Sequence, residues 1–185
     1  MKPLRKQRVA SQNLFRRRSS EIKMSRKRNM IYLQLMSEEG FQKFKTASQQ
    51  SFATDLAKSL DIAFKTALQN ASEQFDRLVP QGLHTKGQMF FDVFEKLSNQ
   101  NLGYLWIGVQ QRLGKQVATI NDIKIEELQR GKGYGKELMK HAQEEARRAG
   151  AKTIRLHVFS QNEVAKKLYS SMGFETTSLD MKMEL

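Results

Sequence analysis

Gln129-Arg130-Gly131-Lys132-Gly133-Tyr134-Gly135-Lys136 sets three alternate glycines among three cations, after a strand pattern and ahead of an amphipathic helix pattern. Glycine has no Cβ, so the main chain can come close to a bulky ligand. The helix start that follows turns its unpaired N–H groups and positive dipole end toward the same point. Arg130, Lys132 and Lys136 add cationic charge around it. The chemistry on offer is that of a cradle for a phosphate or pyrophosphate. A Walker A loop does not fit, because Arg130 stands where the leading glycine belongs and Glu137 follows the Gly-Lys pair. A Rossmann fingerprint does not fit either, since Lys136 occupies the place of its third glycine. A glycine-rich turn into a solvated helix would use the same residues with no ligand at all.

A second segment, Leu156 to Phe174, carries independent information. Ile154, Leu156 and Val158 alternate with Thr153, Arg155 and His157, as in a half-buried strand. Asn162 suits an N-cap, Ala165, Leu168 and Met172 share a helical face, and Gly173 suits the stop. Arg130, Gly133 and Gly135 thus form Arg-x-x-Gly-x-Gly. Asn162, Ala165, Leu168, Tyr169, Gly173 and Phe174 form Asn-x-x-Ala-x-x-Leu-Tyr-x-x-x-Gly-Phe. In this order and spacing the chain resembles the GNAT superfamily of N-acetyltransferases, over about residues 30–185.

The resemblance implies acetyl-CoA as co-substrate, its pyrophosphate held by Arg130, Gly131, Lys132, Gly133, Tyr134, Gly135 and Lys136. It implies a pantetheine arm lying in a gap beside the strand before the loop, against the backbone of Ile123 and Ile125, with Asn162 bonding its amides. It also implies direct attack of a primary amine on the thioester within a ternary complex. Tyr169 matches the general acid that protonates the departing thiolate, a transfer that suits a phenol of pKa near 10 and a thiol near 8.5. Structural alternatives stand beside these roles: Asn162 as a simple cap, Tyr169 as a tyrosine at a helix end. Many members place a glutamate eleven or nine residues before the motif arginine; here those positions are Thr119 and Asn121. Asp122 is the only carboxylate on that strand and is the candidate base. Strict alternation turns it to the wrong face, and a β-bulge would bring it back. Proton loss through water to bulk solvent is the alternative.

The remaining composition bounds the setting. The 185 residues are 39% hydrophobic with 11 Phe, enough for one domain with a core. There is no cysteine, so neither a disulfide scaffold nor a thiol nucleophile exists. His84, His141 and His157 have no ligand spacing, and no metal is expected. No apolar run suits a bilayer span, and a cytoplasmic location is expected. The first 29 residues hold eleven of the 32 Lys and Arg but one of the 19 acidic residues, Glu21. They read as a basic, disordered tail or an upstream extension ahead of a GNAT domain at 30–185. Nucleic acid binding would run through that tail alone, and a targeting role for it stays open. A non-catalytic acyl-CoA-binding module is the other reading of the domain. Monomer and homodimer are both left open.

The elements that must position these residues follow from periodicity. The pattern predicts a strand at Ile31–Leu35, two helices carrying Phe41, Phe44, Phe52 and Leu56 and then Phe64, Leu68, Ala71, Phe75 and Leu78, and three strands. The glycine loop and its helix come next, then a strand, a short helix and closing strands at Glu175–Ser178 and Met181–Leu185. The expected fold is α/β, a mixed central sheet of about seven strands flanked by about four helices. The acceptor, a small-molecule or protein amine, would meet Tyr104 and Trp106, with Asp55, Asp61, Glu73 and Asp76 as carboxylates able to attract it.

Overall fold

Alternating apolar residues build one sheet, and its order follows the chain. A computed structural model describes residues 30–183 of the protein; the basic tail lies outside them. The strands are β1 (Ile31–Leu35), β2 (Gln88–Glu95), β3 (Asn101–Arg112), β4 (Lys115–Ile125) and β5 (Thr153–Leu156). The helices are α1 (Glu38–Leu60), α2 (Phe64–Leu78), α3 (Tyr134–Arg148) and α4 (Glu163–Ser171). Strands β1 to β4 pair antiparallel in sequence order, and β5 joins β4 in parallel. A parallel pair needs a crossover, and α3 supplies it.

The sheet has five strands among the described residues, fewer than the seven expected. Glu175–Ser178 forms no strand, nor does the chain from Met181 to Met183. Leu179, Met181 and Met183 are largely exposed, so their alternation buries no face against a neighbour. Strand pairing, not pattern, decides whether such a segment orders.

Both faces of the sheet are covered. On one, Phe41 and Phe44 of α1 and Phe75 of α2 pack on Phe90, Tyr104 and Trp106. Ala53 of α1 and Ala67 and Ala71 of α2 meet in a separate cluster where these two helices touch. On the other face, Leu138, Met139, Ala142 and Ala146 of α3 pack on Ile31, Val93, Leu105, Ile107, Ala118 and Ile120. Leu168 and Tyr169 of α4, with Met172 just beyond its end, join this second cluster.

The start of β1 is tied to the start of α3 by one carboxylate. Glu137 is 8% exposed, and its Oε1 accepts the backbone N–H of Met30 at 2.6 Å and of Ile31 at 3.1 Å. It also sits in the first turn of α3, where negative charge meets the positive end of the dipole. Glu137→Ala leaves those donors without an acceptor and is expected to cost about 3 kcal/mol in urea unfolding. A loss below about 1 kcal/mol would show that the tie does not hold β1 in place.

Candidate active site

Strand β4 changes the face it presents halfway along. Ile107 pairs with Ile120, but Trp106 pairs with Asp122, so Asn121 is an extra residue on β4. Up to Ile120 the even positions face α3; beyond the bulge Ile123 does. Asp122 therefore shares a face with Trp106, and Lys124 with Tyr104, under α1 and α2. The bulge is held by side chains: Gln88 Oε1 accepts from Trp106 Nε1 at 2.7 Å and from Asn121 Nδ2 at 3.3 Å. Gly108 makes room for this, since a Cβ there would lie 2.8 Å from both Asn121 Nδ2 and Gln88 Oε1.

Beyond the same point β4 and β5 part. Their ladder runs from Val117–Thr153 to Ile120–Leu156 and stops, while β4 continues to Ile125. The chain at His157–Phe159 leaves the sheet, earlier than the alternation through Val158 suggests. A cavity of about 500 Å³ opens in the gap. Asn121, Asp122, Ile123 and Lys124 line one wall, and Leu156 to Phe159 with Asn162 and Tyr169 line the opposite one. Ser48 and Asp55 of α1, Phe75 of α2 and Arg130 complete it.

Asp122 is part-buried, and this desolvation pushes its carboxyl above the usual aspartate value. Ser48 partly offsets this by donating its hydroxyl to Oδ2 at 2.5 Å. The Tyr104 hydroxyl, the Ile123 N–H and the Lys124 charge act in the same direction. Tyr104 is itself held protonated by burial and by the Asp122 charge. Ser48 was not singled out from the sequence; a serine on an amphipathic helix gives no local sign of its partner 74 residues away.

Tyr169 reaches the cavity from the α3–α4 side of the sheet, opposite Asp122. Its ring packs on Phe174, and its hydroxyl has no hydrogen bond among the described residues. Burial first, and the Asp122 charge second, push its phenol upward, so it is a proton donor at neutral pH.

At the far end of the gap lies the glycine loop. Gly131 (φ 77°) and Gly133 (φ 93°) are left-handed, a conformation that favours glycine, and Gly133 caps α3. None of the amides from Gly131 through Lys136 has a hydrogen-bond acceptor among the described residues. Successive free N–H groups at a helix start form an anion site. Gly135 lies against α4, with a Cβ there predicted at 3.4 Å from Leu168 Cδ2.

A model of the acetyltransferase (GNAT) family matches residues 53–174. The chain belongs to the GNAT acetyltransferase family. It is 31% identical over 156 residues to the uncharacterised N-acetyltransferase YycN of Bacillus subtilis, covering 84% of this chain and 99% of that one. The crystal structure of YycN superposes with a TM-score of 0.78 at 30% identity, over 84% of this chain and 98% of that one. A 65-residue stretch is 43% identical to streptothricin acetyltransferase of Streptomyces lavendulae, covering 35% of this chain and 34% of that protein.

Within this GNAT domain the residues singled out from the sequence fall into distinct places. Asp122, Ile123, Arg130, Asn162 and Tyr169 line one cavity. Ile125 does not line it; its carbonyl accepts Arg130 Nε at 3.1 Å, which ties the end of β4 to the loop. Asn162 caps α4, its Oδ1 accepting the Ala165 N–H at 3.1 Å, and its Nδ2 has no acceptor among the described residues. Lys132 Nζ donates to Gln129 Oε1 at 2.7 Å. Tyr134 departs from its expected place: its side chain is buried in the core with its hydroxyl on Glu95, so only its amide belongs to the cradle. Asp122 and Tyr169 thus meet across the sheet, at the opening between β4 and β5.

Proposed function

We propose that the chain transfers an acetyl group from acetyl-CoA to a primary amine, by direct attack within a ternary complex. The observation that carries this reading is the bulge at Asn121, which turns Asp122 into the cavity that Tyr169 enters from the opposite face. Membership of the family implies acetyl-CoA as co-substrate. The free amides from Gly131 through Lys136 fit its pyrophosphate. The parted edge of β4 around Ile123 fits the pantetheine arm, with Asn162 Nδ2 beside it.

Bound acetyl-CoA supplies an activated thioester, and the chain's own residues move the protons. Asp122 takes a proton from the incoming ammonium on the α1–α2 side of the sheet. Burial raises its basicity toward that task, and Ser48 fixes which oxygen faces the cavity. As the C–N bond forms and the C–S bond breaks, Tyr169 gives its hydroxyl proton to the departing thiolate from the other side, and the second proton lost by the nitrogen restores the phenol through solvent. Two groups on opposite faces keep the proton accepted by Asp122 apart from the one donated by Tyr169.

The test is thiol release from acetyl-CoA with a panel of primary amines. Tyr169→Phe is expected to lower kcat about a hundredfold while KM for the amine holds. An unchanged kcat removes Tyr169 from the donor role, and no release with any amine overturns the reading. Ser48→Ala gives a sharper readout. The charged form of Asp122 then loses a hydrogen bond, its pKa rises further, and the acid limb of kcat/KM moves to higher pH. Ser48→Thr keeps the hydroxyl and is expected to restore the profile.

A further inference from the structure

The four acidic residues set apart on or beside α1 and α2 have different fates. Asp61 is the left-handed cap that closes α1 (φ 54°). Glu73 accepts from Gln69 Nε2 at 3.1 Å on exposed surface, and Asp76 pairs with Lys45 Nζ at 2.7 Å. Asp55 alone among them lines the cavity. It is half-buried and has no hydrogen bond or ion pair among the described residues.

Ser48, Ser51, Phe52 and Asp55 stand at i, i+3, i+4 and i+7 on α1, one face of the helix, and all four line the cavity. Ser48 marks the position of Asp122 through their hydrogen bond. Seven residues at 1.5 Å each place Asp55 roughly 10 Å further along α1. The stretch between is mixed: Phe52 packs on Phe159 with ring centroids 5.7 Å apart, and Ala71 and Phe75 of α2 line the same cavity beside Gln49, Ser51 and Gln74. Neither the Lys nor the Arg side chain that lines the cavity pairs with Asp55. Lys124 Nζ is 3.2 Å from Glu126, and Arg130 Nε is bonded to the Ile125 carbonyl. Among the described residues this half-buried carboxylate has no ion-pair partner, and a ligand cation would supply one.

We propose that the acceptor site takes amines carrying a second cationic group, bound by Asp55 roughly two helical turns from the reacting nitrogen. The assignment of the reacting end rests on the amine-transfer reading above. The predicted ligand is an α,ω-diamine or a longer polyamine with an apolar spacer, Phe52 and Phe75 covering the spacer.

The experiment is calorimetric titration of the full chain with a homologous series of α,ω-diaminoalkanes and with monoamines of matched length. Diamines are expected to bind about tenfold more tightly than their matched monoamines, the preference peaking at one chain length. Asp55→Asn is expected to remove the preference without changing monoamine binding. Asp55→Glu is expected to keep it and move the peak to a shorter diamine. Equal binding of diamines and monoamines, or a preference that survives Asp55→Asn, overturns the proposal. Binding requires no turnover, so the two readings fail separately: tight diamine binding without thiol release counts against acetyl transfer alone, and thiol release without a diamine preference counts against Asp55 alone.

Discussion

Asp122→Asn is expected to lower kcat/KM for amine acetylation by about 10²–10⁴-fold, the range that a positioned general base contributes. Asn has nearly the same shape and still offers an oxygen to the Ser48 hydroxyl, so the cavity keeps its walls. What it lacks is a site for the ammonium proton. The remaining activity is expected to rise with pH as free amine accumulates, and to respond more to amines of low pKa. An activity loss of less than about threefold would mean that bulk water takes the proton and that Asp122 is structural.

The same substitution is expected to stabilise the fold at neutral pH. Burial sets the folded pKa of Asp122 above its unfolded value, so its favourable contribution is complete below the unfolded pKa and disappears as pH rises through the folded one. Above the unfolded pKa, neutral pH included, this raised value works against folding. Asp122→Asn removes that penalty, so its Tm exceeds that of the parent at pH 7. The gap closes in acid, below the ordinary aspartate value of 3.8. Gain in stability with loss of activity is the pattern expected of a charge placed for chemistry.

How the sequence and the structure relate can be read at particular residues. The glycine loop from Gly131 and the helix start that follows it were legible because the glycines and the amphipathic pattern are contiguous. The stripes of α1 and α2 were legible in part: helical period and burial agree at Phe41, Phe44, Ala71 and Phe75, whereas Phe64 and Leu78 at the ends of the α2 stripe are exposed. Asp122 was legible only as a carboxylate on the right strand. Its face depends on a bulge that is set by pairing with Trp106 and Ile107, and no local pattern in β4 encodes that pairing. Ser48 and Asp55 gained meaning only when α1 was laid along the cavity. The closing strands fail for the converse reason: Leu179, Met181 and Met183 alternate well, but alternation states which face a strand would bury, not whether a partner is there. Tyr134 shows the limit inside a motif, since its neighbours are bent by glycines while its own ring enters the core.

Gly103→Ala is expected to destabilise the domain by roughly 3–5 kcal/mol, the sum of backbone strain and overpacking. Gly103 has φ 147°, and an added Cβ would lie 2.0 Å from the Lys124 carbonyl oxygen and 2.8 Å from its carbon. Both are backbone atoms, which no rotamer change can move. The site is a second bulge: Val93 pairs with Gly103 and Phe94 with Asn101, leaving Leu102 unpaired on β3. Leu102 is fully buried, and its carbonyl accepts the Glu126 N–H at 2.8 Å, so this corner aligns the end of β4 as it enters the cradle. In urea the midpoint is expected to fall by about 1–3 M. Gly114→Ala is the control, because Gly114 is also left-handed (φ 75°) but has nothing within 4 Å of the added Cβ. It carries the strain without the collision and is expected to lose about 1–2 kcal/mol. Equal losses for the two would show that backbone conformation alone is at stake. A much larger loss at Gly103 would show that close approach of β3 to Lys124 fixes the register on which Ile123 and Asp122 depend.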